Sequence, residues 1–135
     1  MSTMYEDRKL IAPQEYPDNK EFWAAARESR LMLKYCNACH RPHWYPRTIC
    51  PLCGSDDTAW KASPGRGTIY SVTVTRRGGA APFALAYVTL DEGVTMMSNI
   101  VDCDLDDVRI GERVELVFKP TEGDTPVPMF RPATN

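Results

Sequence analysis

The chain has 135 residues, of which 43% are hydrophobic and 25% are charged, and its formal net charge is −2. That length suits one domain or two very small ones. No apolar run approaches the roughly 20 residues of a membrane-spanning helix, and the first residues lack an apolar signal core. We therefore expect no membrane span and a cytoplasmic protein. A generic nucleic-acid binder would be more basic than this chain.

The N-terminal part of the chain predicts an arm and one helix. Residues 1–17 are polar and without periodicity, which indicates an extended arm. Asp18, with a glutamate three residues later, predicts an N-cap and capping box for a helix over 19–29. Phe22 and Trp23 would share its apolar face, which one short helix cannot bury alone. These two side chains must pack on the rest of the chain or on another subunit.

Two C-x-x-C pairs form the next segment: Cys36, Cys39, Cys50 and Cys53. Facing pairs bring four thiolates around one ion, the tetrahedral arrangement of a closed structural zinc site. Two disulfides are the alternative, but a C-x-x-C disulfide closes a very small loop, and a cytoplasmic compartment is reducing. Iron also accepts four thiolates, so an electron carrier with a single iron is an alternative interpretation. Zinc is favoured because it needs no redox partner.

Other polar and aromatic residues near the pairs receive structural interpretations. His40 and His43 lie between the pairs, and neither is expected to bind the metal because four cysteines already have the right spacing. Trp44 and Tyr45 are expected to cover the metal site. Cys103 is the fifth cysteine, and in its strand-like context it indicates a small buried apolar residue rather than a nucleophile.

The chain after Gly54 favours β-structure. A turn region is predicted over 60–67, and a helical turn over 104–110. Runs of β-branched and aromatic residues predict five strands, over 68–75, 83–90, 94–101, 113–118 and 129–132. Five short strands with a helical turn before the fourth fit a small Greek-key barrel of the OB type. The predicted fold class is therefore mainly β, with an N-terminal helix, a metal ribbon and a five-stranded barrel.

Several short motifs follow one another in a fixed order from about Pro17 to Pro132. They are Phe22-Trp23, Cys36-x2-Cys39, Pro46-Arg47, Cys50-Pro51-x-Cys53-Gly54-Ser55, Gly65-Arg66-Gly67, Asp91-Glu92-Gly93, Gly111 before a strand, and Phe130-Arg131-Pro132. This ordered set resembles the DUF35 family, whose members combine a rubredoxin-like zinc ribbon with an OB-fold domain. Thr95 departs from the pattern, because members often carry an arginine there.

The resemblance implies an organisation and a role. It implies an N-terminal arm and helix (1–30), a zinc ribbon (31–60) and an OB-fold domain (61–135). It implies a non-catalytic, Zn²⁺-binding accessory subunit of an acyl-CoA-processing complex, with a thiolase-fold enzyme or with an acyl-CoA hydratase or aldolase. The enzyme subunit would supply the catalytic residues. The sequence agrees, since it carries no nucleophile with an adjacent base and no phosphate-loop or dinucleotide motif.

The candidate contacts of this role are two groups of residues. Phe22 and Trp23 are the candidates for partner binding, and the accessory chain would help to shape the acyl-CoA or CoA site. Arg66, Arg76 and Arg77 are the candidates for coenzyme A phosphates, because the planar guanidinium donates two hydrogen bonds at once.

A single-stranded nucleic-acid module is the alternative function, since zinc ribbons and OB-folds both occur there. Tyr70, Phe83 and Tyr87 would then be stacking platforms, although aromatic residues on barrel strands are more often core. Residues 79–135 carry 4 Lys/Arg against 10 Asp/Glu, so the barrel half is acidic and no nucleic-acid partner is expected.

Overall fold

The computed structural model describes residues 3–76 and 81–134, and it confirms the mainly β fold class. Within them, no helix is long and apolar enough to cross a membrane. The regular elements are one helix and eight strands, with a 3-10 turn at Leu105–Asp107: α1 Lys20–Ala26, β1 Leu31–Cys36, β2 Arg41–His43, β3 Thr58–Ser63, β4 Arg66–Thr75, β5 Phe83–Leu90, β6 Thr95–Ile100, β7 Arg113–Lys119 and β8 Val127–Pro132.

The N-terminal arm lies along the barrel instead of standing free. The backbone N–H of Tyr5 donates to the Cys103 carbonyl at 2.9 Å, and the N–H of Leu105 donates to the Thr3 carbonyl at 2.7 Å. Lys119 Nζ lies 3.1 Å from an Asp7 carboxylate oxygen. These backbone pairs join residues about a hundred positions apart, so sequence periodicity carried no sign of them.

Helix α1 is shorter than predicted and is capped differently. It begins at Lys20 after the N-cap residue Asn19, and no side chain caps it. Asp18, the predicted cap, accepts a hydrogen bond from the Thr48 hydroxyl at 2.8 Å instead. The side chain of Asn19 is buried and accepts from the Tyr16 N–H at 2.7 Å. Tertiary partners of these two side chains therefore override the local capping signal.

A three-stranded antiparallel sheet in the order β2-β1-β3 carries the cysteine pairs. The short run 31–35 before the first cysteine pair predicts strand β1, whereas β2 and β3 are not predicted from the sequence. The segment of β3 was interpreted as part of a turn region, whereas it pairs with β1 from Leu31↔Ser63 to Cys36↔Thr58. Only this long-range pairing makes a strand of a segment that lacks regular hydrophobic alternation.

The second half of the chain forms a closed barrel in the order β4-β5-β6-β8-β7, and β7 pairs with β4 to close it. The five strands lie close to their predicted positions. Closure brings backbones so near that a Cβ on Gly67 would lie 2.7 Å from the Thr89 carbonyl oxygen. Gly65 has φ +72°, and a Cβ there would lie 2.4 Å from Leu116 Cβ. Glycine is therefore required where the ribbon sheet leads into the barrel.

One hydrophobic core runs through the helix, the ribbon sheet and the barrel. Phe22 is only 2% exposed and belongs to the same cluster as the β1 residues Leu31 and Leu33 and the barrel residues, among them Ile69, Val88 and Phe130. Its ring lies 5.4 Å from that of Trp44, between centroids. The short helix is thus held by tertiary packing, as expected for an element of this length.

Replacing Phe22 by alanine should remove the contact that joins these three parts. We expect Phe22→Ala to lower the free energy of unfolding by about 3–5 kcal/mol, since a large buried side chain leaves a cavity. Ile110→Ala, at a side chain that is 68% exposed, is the control and should change it by about 0.5 kcal/mol or less. Denaturant titrations followed by circular dichroism measure both, and equal effects would contradict the role of Phe22.

Candidate functional site

Both C-x-x-C turns have the same local backbone design. His40 follows the first pair with φ 57°, and Gly54 follows the second pair with φ 82°. Within the turns, the N–H of Cys39 donates to Cys36 Sγ and the N–H of Leu52 donates to Cys50 Sγ, both at 3.4 Å. These backbone N–H groups point at the sulfur atoms of Cys36 and Cys50. The left-handed role of His40 was not predicted, because histidine is not the usual residue there.

The four sulfur atoms converge as the spacing predicted. Cys36 Sγ lies 3.5 Å from Cys53 Sγ, and Cys39 Sγ lies 3.8 Å from Cys50 Sγ. All four lie within 4.8 Å of one another. Tetrahedral zinc with bonds of about 2.3 Å needs sulfur–sulfur separations of about 3.8 Å. The residues present therefore fit a single zinc ion held by four thiolates, which leaves no ligand position open for substrate.

Proton binding at the sulfurs is uneven. Burial by itself raises the pKa of Cys39, but hydrogen bonds with Arg41 and with the thiols of Cys36 and Cys53 lower it below its usual value. At Cys53 the backbone N–H of Ser55 lowers the pKa, while contacts with Cys36 and the other thiols raise it to about 11. A metal ion must displace the proton that Cys53 holds, so metal binding weakens as the pH falls.

The histidines and aromatic residues between the pairs are not part of the four-sulfur cluster of the described residues. His43 is buried, its Nε2 accepts from the Arg47 N–H at 3.4 Å, and burial lowers its pKa, so it is neutral. His40 is exposed. That Trp44 and Tyr45 cover the metal stays a prediction. Trp44 packs on Phe22 of α1, and the Tyr45 hydroxyl accepts a hydrogen bond from Asn19.

The three arginines suggested for coenzyme A do not form one cluster in the described residues. Arg66 begins β4 and Arg76 follows its end, which separates them by about 30 Å along the strand. Arg76 forms an ion pair with Asp106. Arg77 lies outside the described residues. Arg66 and Arg76 therefore cannot contact the same phosphate.

The two candidate partner contacts on α1 differ in burial. Phe22 is enclosed within the core of this chain, so its surface is used internally. Trp23 is half-buried, and its indole Nε1 has no hydrogen-bond partner among the described residues. Trp23 also lines a groove beside the barrel. Of the two, the indole of Trp23 is the one within reach of a partner.

The expectation that the barrel aromatics belong to the core was wrong for two of them. Tyr70 is 70% exposed and Tyr87 is 49% exposed. Met97 on the neighbouring strand is also exposed, at 56%. The signal was present in the sequence. In β5 the small and aliphatic side chains of Ala84, Ala86 and Val88 alternate with the outward ones, and only the inward set is buried.

Comparison with known families assigns both halves of the chain. Residues 23–59 match the ChsH2 rubredoxin-like zinc ribbon domain, and residues 60–119 match the ChsH2 C-terminal OB-fold domain. The first match lies on the four-sulfur cluster, and the second on the closed barrel. The predicted zinc cofactor is thus confirmed by the ribbon family together with the sulfur geometry.

Individual relatives are found in bacteria and archaea. The chain is 36% identical over 90 residues to a DUF35 domain-containing scaffold protein of Methanothermobacter thermautotrophicus, a match covering 62% of this chain and 68% of the relative. It is 32% identical over 120 residues to a probable enoyl-CoA hydratase alpha subunit of Thermomonospora curvata. That match covers 86% of this chain but spans only 38% of the length of the relative.

A solved structure shows the same fold at similar identity. A chain of the Ltp2-ChsH2(DUF35) aldolase superposes with a TM-score of 0.83 at 31% sequence identity. The superposition covers 91% of this chain and 100% of that chain. The likeness therefore extends over the helix, the ribbon sheet and the barrel together.

The metal centre gives a direct prediction. The purified chain should hold one zinc ion, and Cys50→Ser, at a buried sulfur, should lose it and unfold the ribbon sheet, because structural zinc supplies folding free energy. Cys103→Ser is the matched control and should keep one zinc. Metal analysis and near-ultraviolet circular dichroism measure both effects. Zinc retention by Cys50→Ser would contradict the four-sulfur site.

Cys103 should behave as a protonated thiol at neutral pH. Burial, followed by the charges of Glu112 and Asp104, raises its pKa to about 11. We expect iodoacetamide to alkylate Cys103 of the zinc-loaded protein very slowly at pH 7 and faster as the pH approaches 11, since the thiolate is the nucleophile. Mass spectrometry of the tryptic peptide follows the reaction, and fast labelling at pH 7 would refute the shift.

Proposed function

Because the chain belongs to the DUF35 family of zinc-ribbon and OB-fold scaffold proteins, we propose that it is a non-catalytic accessory subunit of an acyl-CoA-processing enzyme complex. Its partner is a thiolase-fold enzyme subunit, with an acyl-CoA hydratase or aldolase subunit as the other candidate of the same role. The zinc ion holds the ribbon sheet in shape, and the chain helps to form the acyl-CoA or CoA site of the complex.

The likeness to the chain from the Ltp2-ChsH2(DUF35) aldolase carries this proposal. It extends over 91% of this chain, so the parts that a partner would contact are shared as backbone. The relative described as a probable enoyl-CoA hydratase alpha subunit adds support from a second enzyme class. Both names concern enzymes, and the second names an acyl-CoA substrate.

The chemistry of this chain also suits a subunit that leaves catalysis to its partner. Among the hydrogen bonds of the described residues, none joins a histidine to a serine, threonine or cysteine side chain. His43 is buried and neutral, and Cys103 is protonated at neutral pH. The four thiolates need a reducing compartment, so the proposal includes the cytoplasm. It also keeps the division into 1–30, 31–60 and 61–135.

The length of strand β4 limits which arginines could share the proposed contact with coenzyme A. The two ends of β4 are too far apart for Arg66 and Arg76 to bind one diphosphate, so a phosphate site uses one end only. Arg66 is exposed at the end where Asp91 and Glu115 also lie. Arg76 is already paired with Asp106. A partner residue would therefore have to complete either site.

A nucleic-acid module is the competing function, and the exposed rings of Tyr70 and Tyr87 are the observation in its favour. Single-stranded nucleic acid also needs cations along the groove that follows its backbone. The outward residues of β5 and β6 carry none. A gel-shift assay in low salt with single-stranded DNA and RNA distinguishes the two functions, since a shift would favour this alternative.

The proposed role predicts a complex in the source organism. The tagged chain, expressed at its native level, should be recovered with an acyl-CoA enzyme subunit, and native mass spectrometry should show one zinc per copy of this chain. Addition of coenzyme A to the complex should give a bound adduct if the shared site exists. Recovery of the free chain alone, from a preparation in which its zinc is intact, would contradict the role.

A further inference from the structure

An outward surface of the barrel carries large apolar side chains where polar ones are usual. Antiparallel barrels normally present a polar face to water. Here Leu85 and Tyr87 of β5 point outward beside Met97 of β6, and Tyr87 is paired directly with Met97. Tyr70 stands beside them at the bulge of β4. We call the outward residues of β4 from Tyr70 onward, of β5 and of β6 the outer sheet face.

A groove opens at the edge of this face, along the seam between β6 and β8. These two strands share the backbone pair Ile100↔Phe130, and beyond it the Ser98 hydroxyl donates to the Pro128 carbonyl at 2.9 Å. Trp23 of α1, Tyr45 of the ribbon and Ile11 of the N-terminal arm form the walls on the other side. The groove has a volume of about 340 Å³, which is within the usual range for binding pockets. Met97 belongs to both the outer sheet face and the groove, so the two are continuous.

The residues that form this continuous surface are uncharged, in a chain of which 25% is charged. Two arginines from outside it lie over its rings: Arg8 is 4.3 Å from the centre of the Phe83 ring, and Arg47 is 5.3 Å from the centre of the Tyr45 ring. Among the described residues, none that lines the groove is acidic or basic. The outward side chains of β5 and β6 are likewise uncharged: Phe83, Leu85, Tyr87, Thr89, Thr95, Met97 and Asn99. Ion pairs occur only at the two ends of the face, between Asp91 and Arg113 and between Arg76 and Asp106.

The composition identifies the kind of occupant. A surface rich in tyrosine, tryptophan and methionine, depleted of charge and bordered by ion pairs has the make-up of the centre of a protein interface. Nucleic acid and the phosphates of coenzyme A both require several cations along the contact, whereas the cations that lie over this surface in the described residues are Arg8 at Phe83 and Arg47 at Tyr45. Burial of apolar area against an equally uncharged protein segment is the interaction that it favours.

The shape of the surface favours a different protein over a second copy of this chain. Two copies that met through the outer sheet face would place one convex barrel against another and leave both grooves unfilled. The outward area of three strands is roughly 320 Å², from about 20 residues at 4.8 Å between strands and 3.3 Å per residue. A standard interface needs about 800 Å² per partner. The occupant must therefore also enter the groove and extend beyond the face.

We propose that the outer sheet face and the seam groove bind an uncharged, protruding segment of the partner enzyme subunit. This inference rests on the proposed function, since it assigns the surface by which that complex is held. Met97 lies at the centre of the contact, with Tyr87 on the face and Trp23 in the groove. The charged ends of the face form the rim and set the orientation of the segment.

The test uses the reconstituted complex of this chain and the enzyme subunit recovered with it. Met97→Arg places a charge at the centre of the surface and should weaken binding about 100-fold. Ile110→Arg is the matched control, since Ile110 is an exposed apolar residue outside this surface. It should change the affinity about twofold or less. Unchanged circular dichroism and zinc content establish that both variants are folded.

Hydrogen exchange provides a second measurement that does not depend on a variant. Complex formation should slow exchange of the amides of 96–99, Val127 and Met129. Protection elsewhere, with those segments unchanged, would overturn the proposal, as would full affinity of Met97→Arg, and in both cases the complex itself would still stand. Absence of any complex with the wild-type chain would instead refute the proposed function.

Two further outcomes would assign the surface to another occupant. A dimer of the chain alone that Met97→Arg dissociates would identify a second copy as the occupant. Protection of 96–99 by coenzyme A without the enzyme would identify a small ligand. Either result would overturn the assignment of the surface to an enzyme segment.

Discussion

Burial of Phe22 is the contact on which the arrangement of this molecule depends. Its ring packs against Trp23 and Trp44 and joins one core with Leu31 and the barrel residues. A seven-residue helix has no stability of its own, so its position comes from this packing. The seam groove depends on it as well, because α1 supplies one wall and the ribbon supplies another.

The ribbon sheet and the barrel are stabilised in different ways, the first by the metal centre and the second by closure of its strands. A three-stranded sheet with one short strand buries too little apolar surface to be stable alone, and four thiolates around one ion compensate for that deficit. The barrel closes on itself and needs no metal. The ribbon therefore serves as a rigid wall of the groove through Trp44 and Tyr45.

The role that we propose depends on shape and surface rather than on reactive groups. The thiols are either gathered around the metal position or, at Cys103, protonated at neutral pH. The unusual feature of the surface is that the outer sheet face and the groove are formed by uncharged residues. Exposure of such a surface to water costs free energy, and association with the proposed partner would remove that exposure.

The sequence by itself determined the metal site and the barrel, because both follow from local patterns. The spacing of the cysteines predicts the metal site of Cys36, Cys39, Cys50 and Cys53. The alternation of inward and outward side chains predicts strands such as Phe83–Leu90. Tertiary structure alone decided what depends on distant partners. The strand Thr58–Ser63 exists through its pairing with β1. Asp18 does not cap α1, because its carboxylate accepts a hydrogen bond from the Thr48 hydroxyl instead. The groove is likewise built by four parts of the chain that no local pattern brings together, since its walls meet only after the core has formed.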